Sequence, residues 1–268
     1  MIHTTSTMKV TLITVCRNVA PVIRETLDSI LAQTHADIEL IVIDGASTDG
    51  TVEILREYTV AERGRRAVSD AGRGITTLVS EPDKGIYDAM NKGLARATGE
   101  IIGFVNAGDL LMSPNVIAQV VSAFQRTHVD AVYGDIIMVD EHDIHKVHRT
   151  WLSGTYHRSN FRKGWMPPHV GTFIRKSVYD RLGHFNTALR IGADYEILLR
   201  FLYKHELPTI HLRTVLVRFR LGGMSNGSVR HILNANREVR ASWGLNGLKA
   251  PPLLVTRKLW SKVMQFFH

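Results

Sequence analysis

Apolar and polar positions alternate along the first half of the chain with two different periods. Short runs rich in β-branched residues, at Val10–Val15, Ile38–Ile43 and Ile101–Val105, have the length and composition of buried strands. Between them, helical spacing of apolar residues begins at Pro21 and again at Thr51. Strands and helices in this order predict βαβ units, and therefore a parallel sheet in an α/β fold.

Two helices of this half each have one apolar face. In the helix that begins at Pro21, this face is formed by Ile23, Leu27, Ile30 and Leu31. A second helix is predicted over Ile86–Ala97, where apolar residues recur at helical spacing and Gly99 can supply the C-terminal cap. We expect the first of these faces to pack on the sheet and the second helix to lead into the strand at Ile101.

The second half of the chain is less regular. After a helix that follows Pro114 and a strand over Val129–Tyr133, the pattern predicts antiparallel strands around Ile136–Val139 and Val170–Arg175. A further helix is predicted over Asp194–His205. Its predicted buried residues are Tyr195, Leu198, Leu199 and Leu202. We interpret the regular half as nucleotide-binding and the irregular half as the source of substrate specificity.

The segment after Pro252 has a different pattern. At about 100° per residue, polar side chains fall on one arc and large apolar side chains on the other. The polar arc holds Arg257, Lys258, Ser261, Lys262 and Gln265, and the apolar arc holds Leu259, Trp260, Val263, Met264, Phe266 and Phe267. Such a helix suits an anionic membrane surface. It suits equally well a helix docked on its own domain or on a second subunit, and both interpretations stay open.

Composition and charge narrow the class of protein. The chain has 268 residues, 44% of them hydrophobic, and a single cysteine that cannot form an internal disulfide. The absence of a signal-peptide pattern predicts a cytoplasmic protein, and no apolar stretch approaches the roughly 20 residues that span a bilayer. A net charge of +8 predicts an anionic ligand or surface. No zinc-ligand pattern or RNP-like segment occurs, so a nucleic-acid module is not expected.

Polar segments follow the predicted strands at their carboxyl ends. Because ligands of open α/β sheets bind outside the carboxyl ends of the strands, we expect these segments to form one cleft. An acid such as Asp109 at that position can hold a hard cation against a phosphate. The four segments are Thr14–Asn18, Asp44–Thr51, Ser80–Asp88 and Asn106–Asp109.

Two of these segments carry charges suited to a nucleotide. Asp44 directly follows a buried strand and is a better binding candidate than Asp49, which has the position of a helix cap. Lys84 lies just before a predicted helix, whose start favours anions. The turn after Val15 has no G-x-G-x-x-G, and no Walker-type G-K-[ST] occurs in the chain, which argues against dinucleotide-dependent oxidoreductases and P-loop enzymes.

Five segments, in this order, resemble the motifs of the family 2 glycosyltransferases, whose GT-A fold is a Rossmann-like, mixed and mostly parallel sheet flanked by helices. They are Thr11–Asn18, Val42–Thr51, Ser80–Gly93, Asn106–Asp109 and Gly192–Arg200. The resemblance is nearest to the bacterial enzymes that build exopolysaccharide and colanic-acid-type repeat units. It implies a GT-A domain over residues 8–225, divided into a nucleotide-sugar-binding half (8–112) and an acceptor half (113–225), with a C-terminal helical extension over 226–268.

The resemblance also implies an activity. Family members transfer a sugar, with inversion, from a nucleoside diphosphate sugar to an acceptor hydroxyl, normally with Mg²⁺ or Mn²⁺. Together with the predicted tail, this points to a lipid-linked saccharide acceptor in surface polysaccharide biosynthesis. The expected location is the cytoplasm, on the inner face of the plasma membrane.

Metal and catalytic residues can be carried over by position. Asp109 matches the final acid of the family's DxD-type metal-binding turn, whereas Asn106 stands where the first acid usually is, which predicts weaker metal binding. Asp194 matches the acid that serves as catalytic base, although the common preceding Glu is Ala193 here. As a base, it would take the proton of the acceptor hydroxyl.

The nucleotide pocket is assigned in the same way. Thr14 and Arg17 match the loop that lines the pocket, and Lys84 belongs to a segment near the diphosphate. Asp44 matches the first of two adjacent aspartates, but the second, often a contact to the nucleoside base, is Gly45. The identity of the base therefore stays open.

The departures from the family pattern leave a second hypothesis. Gly45, Asn106 and Ala193 are compatible with a degenerate protein that binds sugar nucleotide or protein partners without turnover. The presence of Asp109 and Asp194 favours an enzyme.

Overall fold

The computed structural model describes residues 8–65, 72–222, 229–252 and residue 254. Within these residues, helices flank one mixed sheet. The strands are β1 (Val10–Cys16), β2 (Ile38–Asp44), β3 (Ile75–Ser80), β4 (Ile101–Phe104), β5 (Leu110–Leu111), β6 (Ala131–Val139), β7 (Val147–Trp151), β8 (Thr172–Arg175) and β9 (Thr209–Arg220). The α-helices are α1 (Ile23–Leu31), α2 (Thr51–Glu57), α3 (Val60–Arg65), α4 (Ile86–Leu94), α5 (Val116–Arg126), α6 (Lys176–Leu182), α7 (Ala193–Leu198) and α8 (Val229–Leu245).

The strand order is β3-β2-β1-β4-β8-β6-β9-β5, with β7 paired to β6. Strands β3, β2, β1 and β4 are parallel, whereas β8 is antiparallel to both β4 and β6. Strand β9 runs parallel to β6 and pairs antiparallel with β5. The predicted α/β fold, with a regular parallel half and an irregular second half, is confirmed.

Helices cover both faces of the parallel half. Leu12 of β1 belongs to the same buried apolar cluster as Leu27 of α1, whereas the next residue, Ile13, belongs to the cluster that contains Met90 of α4. Strands buried on both faces need apolar residues at every position. That requirement explains the continuous apolar runs from which these strands were predicted.

One long strand replaces the two short strands predicted at Val129–Tyr133 and Ile136–Val139. Strand β6 continues through Gly134, where its pairing with β9 shifts register. A Cβ on Gly134 would overlap the side chain of Leu216 in β9. Glycine therefore lets the two strands stay close across the bulge.

The helix predicted over Asp194–His205 begins one residue earlier and changes its winding. Helix α7 ends at Leu198, and a π-helical segment continues over Leu199–Lys204. The side chains predicted to be buried in this helix are all buried: Tyr195, Leu198, Leu199 and Leu202. The predicted apolar face is therefore buried, although the helix changes from α-helical to π-helical geometry after Leu198.

Helix α8 packs against α7. Val239 and Trp243 of α8 belong to the same buried cluster as Tyr195 of α7. The amphipathic segment predicted after Pro252 lies outside the described residues, except for Leu254. No helix in the described ranges combines the length and apolar character needed to cross a membrane.

Candidate active site

The carboxyl ends of the parallel strands form a polar edge of the sheet. Cys16 at the end of β1 is in register with Asp44 at the end of β2, which is in register with Ser80 at the end of β3. The turn Asn106–Asp109 follows β4, the other neighbour of β1. The four segments predicted to outline a cleft therefore come together at this edge.

Asp44 is fully buried and organises the loop after β2. Its Oδ2 accepts hydrogen bonds from the Ser47 N–H (2.9 Å) and the Ser80 hydroxyl (2.7 Å), and its Oδ1 accepts one from the Ser47 hydroxyl. Burial raises the pKa of the Cys16 thiol far above its ordinary value, and the neighbouring Asp44 carboxylate raises it further. This thiol therefore stays protonated. Asp44 shapes the wall of the cleft, and its contact with a nucleotide stays a prediction.

A neighbouring carboxylate fills the space that Gly45 leaves. A Cβ on residue 45 would overlap Oδ2 of Asp83 and would lie 3.3 Å from Cδ of Arg17. The other Asp83 oxygen accepts the N–H of Gly85 at 2.8 Å, which fixes the carboxylate. The region beside Arg17 thus contains a carboxylate although residue 45 has no side chain. No spacing in the sequence links Asp83 to Gly45, and sequence analysis missed it.

The two cationic residues predicted for the donor pocket are exposed near the carboxyl ends of the parallel strands. Arg17 directly follows β1, and Lys84 lies two residues before α4. Both are exposed. The backbone N–H of Lys84 donates to the Asp88 carboxylate at 3.1 Å, which fixes the segment at the start of α4. The cation-bearing loops therefore border the same strand-end edge as Asp44.

Three predicted binding residues have buried oxygens without a hydrogen-bond partner among the described residues. They are Oγ1 of Thr14, Oδ1 of Asn106 and Oδ2 of Asp109. The other Asp109 oxygen accepts the backbone N–H of Arg220 at 3.2 Å. Burial raises the pKa of Asp109 to about 8, and the N–H and charge of Arg220 only partly oppose that effect. Because buried polar atoms are normally paired, these oxygens indicate sites that a ligand completes.

The turn after β4 contains two side chains, Asn106 and Asp109, whose oxygens are of the kind that bind divalent cations. The N–H of Asp109 donates to the carbonyl of Asn106 at 2.9 Å, so both side chains belong to one closed turn. Over the ranges that the structure describes, no group of three or more His, Cys, Asp or Glu side chains could hold a metal ion. Mg²⁺ commonly binds one or two protein oxygens together with substrate phosphates and water. The Asn106 and Asp109 oxygens fit that kind of site.

Asp194 lies in the first turn of α7 and is partly exposed. Its Oδ1 is 2.7 Å from the backbone N–H of Tyr195 and 3.4 Å from the hydroxyl of Tyr87. Tyr87 belongs to the first turn of α4 and donates its stronger hydrogen bond to the carbonyl of Ile191, at 2.6 Å. Asp194 is thereby brought next to the helix that begins at the donor side of the cleft.

His169 packs between aromatic rings at the end of β4. Its ring lies 5.1 Å from that of Phe104, the last residue of β4, and 5.4 Å from that of Phe185. Burial lowers the pKa of His169, and the nearby charge of Asp194 opposes that effect. The lowered pKa favours the neutral form of the imidazole.

Glu238 of α8 contacts the loop before Asp194, and sequence analysis missed it. Its carboxylate accepts the backbone N–H groups of Arg190, Ile191 and Gly192. The residue lies in the predicted helical extension, far from Asp194 in the sequence. No local motif could reveal the contact.

Comparison with known proteins agrees with the geometry. The family model "Glycosyl transferase family 2" matches residues 11–183. A PGL/p-HBAD biosynthesis glycosyltransferase of Mycobacterium tuberculosis is 32% identical over 214 residues, which are 78% of this chain and 76% of that protein. An uncharacterized glycosyltransferase of the same species is 31% identical over 230 residues, covering 83% of this chain and 79% of that protein.

Solved glycosyltransferase structures share the fold. S. aureus TarS (residues 1–349) superposes with a TM-score of 0.67 at 17% identity, covering 94% of this chain and 71% of that one. The mannosyltransferase PcManGT from Pyrobaculum calidifontis, solved in complex with GDP-Man and Mn²⁺, gives a TM-score of 0.64 at 24% identity and covers 96% and 70% of the two chains. The sheet is thus of the predicted GT-A type. Because the family model spans more than half of its length, this chain belongs to glycosyl transferase family 2.

Proposed function

We propose that this glycosyltransferase inverts the anomeric centre as it moves a sugar from a nucleoside diphosphate sugar to an acceptor hydroxyl. The supporting observation is the position of Asp194 next to the strand-end cleft. Its Oδ1 lies 3.4 Å from the Tyr87 hydroxyl of α4. The Tyr87 ring stacks on Phe185, which packs edge-on against Phe104 at the end of β4, just before the Asn106–Asp109 turn. A base and a phosphate-binding edge then border a common space.

In the proposed step, Asp194 takes the proton of the acceptor hydroxyl. The hydroxyl oxygen forms a bond with the anomeric carbon while the bond from that carbon to the diphosphate oxygen breaks. The departing diphosphate leaves with the electron pair, and the proton ends on the Asp194 carboxylate. Attack from the face opposite the leaving group inverts the configuration.

The donor is held at the carboxyl ends of β1 to β4. Thr14 and Asp44 line the nucleoside pocket, and the exposed cations of Arg17 and Lys84 attract the diphosphate. UDP-GlcNAc is bound in one solved TarS structure and GDP-Man in PcManGT, so structures of this fold accept different nucleoside bases. In this chain, the carboxylate beside Arg17 comes from Asp83.

Asn106 and Asp109 would hold Mg²⁺ or Mn²⁺ against the diphosphate. When bound, the ion supplies positive charge that stabilises the departing diphosphate. The protein's own contribution is a buried turn whose two unpaired oxygens face no competing donor in the described residues. With one carboxylate in place of two, the protein alone binds the ion weakly, and the diphosphate contributes much of the affinity.

The acceptor is a lipid-linked saccharide used in surface polysaccharide biosynthesis, handled at the cytoplasmic face of the plasma membrane. Support comes from the net charge of +8 and from the basic amphipathic pattern after Pro252. In this proposal, residues 8–112 bind the donor, residues 113–225 bind the acceptor, and the extension over 226–268 approaches the membrane. No nucleic acid takes part.

Turnover with a panel of donors tests the proposal. The full chain is incubated with Mn²⁺, UDP-, GDP- and dTDP-sugars, and lipid-linked saccharide, and release of nucleoside diphosphate is measured. We expect one nucleotide class to be turned over, and Asp194→Asn to lower kcat at least about 100-fold because the base is lost. Binding of donor without turnover would instead support the degenerate, non-catalytic hypothesis. Full activity of Asp194→Asn would exclude Asp194 as the base.

A further inference from the structure

The Glu238 side chain of α8 accepts hydrogen bonds from three backbone N–H groups just before Asp194. Oε1 of Glu238 accepts the N–H of Arg190 at 3.1 Å, and Oε2 accepts those of Ile191 at 2.9 Å and Gly192 at 2.8 Å. The first N–H groups of a helix have no partner within it, and a carboxylate stabilises that end of the helix. Glu238 thereby fixes the three residues that precede α7.

The same segment is also held by α4. The carbonyl of Ile191 accepts the Tyr87 hydroxyl at 2.6 Å. A Cβ on Gly192 would lie 3.2 Å from Cβ of Glu238, closer than most side chains tolerate, so glycine permits the close approach. The backbone before Asp194 is therefore fixed between Tyr87 and Glu238.

Helix α8 is itself anchored to α7. The Trp243 indole N–H donates to the Tyr195 hydroxyl at 3.0 Å, and the Asn246 amide donates to Oε1 of Glu196 at 3.0 Å. Both contacts are buried. Because these bonds hold α8 in one orientation, Glu238 presents its carboxylate from a rigid support.

We infer that Glu238 is a positioning residue for sugar transfer. It acts through the backbone of residues 190–192 to hold the Asp194 carboxylate against the acceptor hydroxyl. This inference rests on the proposed role of Asp194 as base. A displacement of about 1 Å at a reacting group can lower a rate about 100-fold, so backbone restraint at this point matters to kcat. Helix α8, which follows the segment matched by the family model, is then part of the active site.

Substitution of Glu238 in the full chain tests the inference. Glu238→Ala removes all three acceptor contacts, and Glu238→Gln keeps one acceptor oxygen. Asn234→Ala changes an exposed, uncharged residue one turn earlier in α8 and is the matched control. We expect Glu238→Ala to lower kcat about 10- to 100-fold and Glu238→Gln to give a kcat between that of Glu238→Ala and that of the wild type. The kcat of Asn234→Ala should equal that of the wild type. Affinity for UDP or GDP, measured by calorimetry, should change less than about twofold.

A double variant separates positioning from general stability. If Glu238 acts only through Asp194, then Glu238→Ala should lower the residual turnover of Asp194→Asn no further. The inference would be overturned if Glu238→Ala lowered kcat by the same factor in the wild type and in Asp194→Asn. It would also be overturned if Glu238→Ala and Glu238→Gln both had the kcat of the wild type. If Glu238→Ala fails to fold, Glu238→Gln is used instead, provided that its melting temperature equals that of the wild type. A lowered kcat of Glu238→Gln would then support the inference, and a wild-type kcat would overturn it. Full activity of Asp194→Asn is a different result, because it removes the proposed base itself.

Discussion

Asp109 is a carboxylate whose burial disfavours its charged form, and the N–H and charge of Arg220 oppose that effect only in part. It is 3% exposed, one oxygen accepts a single backbone N–H, and the other has no hydrogen-bond partner among the described residues. Burial of a carboxylate without compensation favours the neutral form. In the proposed site, this unpaired oxygen is the one that would contact the divalent ion.

The raised pKa of Asp109 predicts how stability depends on pH in metal-free protein. The folded-state pKa of about 8 exceeds the ordinary value of about 3.9. Between these values the folded state holds a proton that the unfolded state has released, so stability falls as pH rises through this window. Asp109→Asn removes this titration. In chelator, we expect its melting temperature to exceed that of the wild type by about 2–5 °C at pH 8.5 and to match it near pH 4.

The pH series includes its own control, because the two proteins should converge at acid pH. A wild type that melts above Asp109→Asn at pH 8.5 would contradict burial as the dominant effect on this carboxyl. Mn²⁺ added together with UDP or GDP should raise the melting temperature of the wild type more than that of Asp109→Asn, since the charged ligand is missing in the variant.

Residues at strand ends could be predicted from sequence, whereas residues joined only by folding could not. Asp44 and Asp109 follow apolar runs that predict their own strands, so their place at the edge of the sheet follows from chain order. Asp83 lies beside Gly45, and Glu238 beside Gly192, only because distant segments pack together. A side chain that acts across such a contact has no spacing by which it can be recognised.

At the scale of elements, burial decides which strands the sequence predicts. Strands β1 and β4 are buried at every position and appear as continuous apolar runs. Strand β9 has 12 residues, of which only Leu216 and Val217 are buried, and its pattern did not predict a strand. Its place in the sheet depends on pairing with β6 and β5, which local sequence does not encode.

The π-helical segment after α7 is held by a buried ion pair that makes a testable contribution to stability. The Glu196 and Arg200 side chains are 5% and 15% exposed, and Oε2 of Glu196 lies 3.0 Å from Nη2 of Arg200. Glu196→Ala would leave the guanidinium without its carboxylate, which we expect to lower the free energy of unfolding by about 3–5 kcal/mol. Denaturant titration measures the effect.

The matched control is an exposed pair with the same spacing. Lys176 and Asp180 lie 2.8 Å apart, with side chains 32% and 54% exposed. Asp180→Ala should change the free energy of unfolding by less than about 1 kcal/mol, because solvent screens this pair. If Glu196→Ala and Asp180→Ala lowered the free energy of unfolding equally, Glu196 would contribute no more to stability than a surface charge.

At the scale of the whole molecule, basic charge and apolar side chains occur together at the carboxy-terminal side. Helix α8 exposes Leu233 and Leu245, which are 59% and 57% accessible, and the basic residues Arg237 and Arg240 are exposed on the same helix. The sequence after Pro252 continues with basic and aromatic residues. If α8 also positions Asp194, this one helix links the proposed membrane-binding surface to the proposed catalytic base.

Truncation after Pro252 tests whether this end of the protein binds membranes. Each basic residue near an anionic membrane contributes about 1 kcal/mol to the free energy of binding. Loss of Arg257, Lys258 and Lys262 should therefore weaken binding to anionic liposomes about 100-fold. We expect the truncated chain to remain in the supernatant when the full chain sediments with anionic liposomes. Replacing the three residues by Gln is the matched control, because the apolar arc stays. Unchanged sedimentation together with a lowered melting temperature would show instead that the tail docks on its own domain.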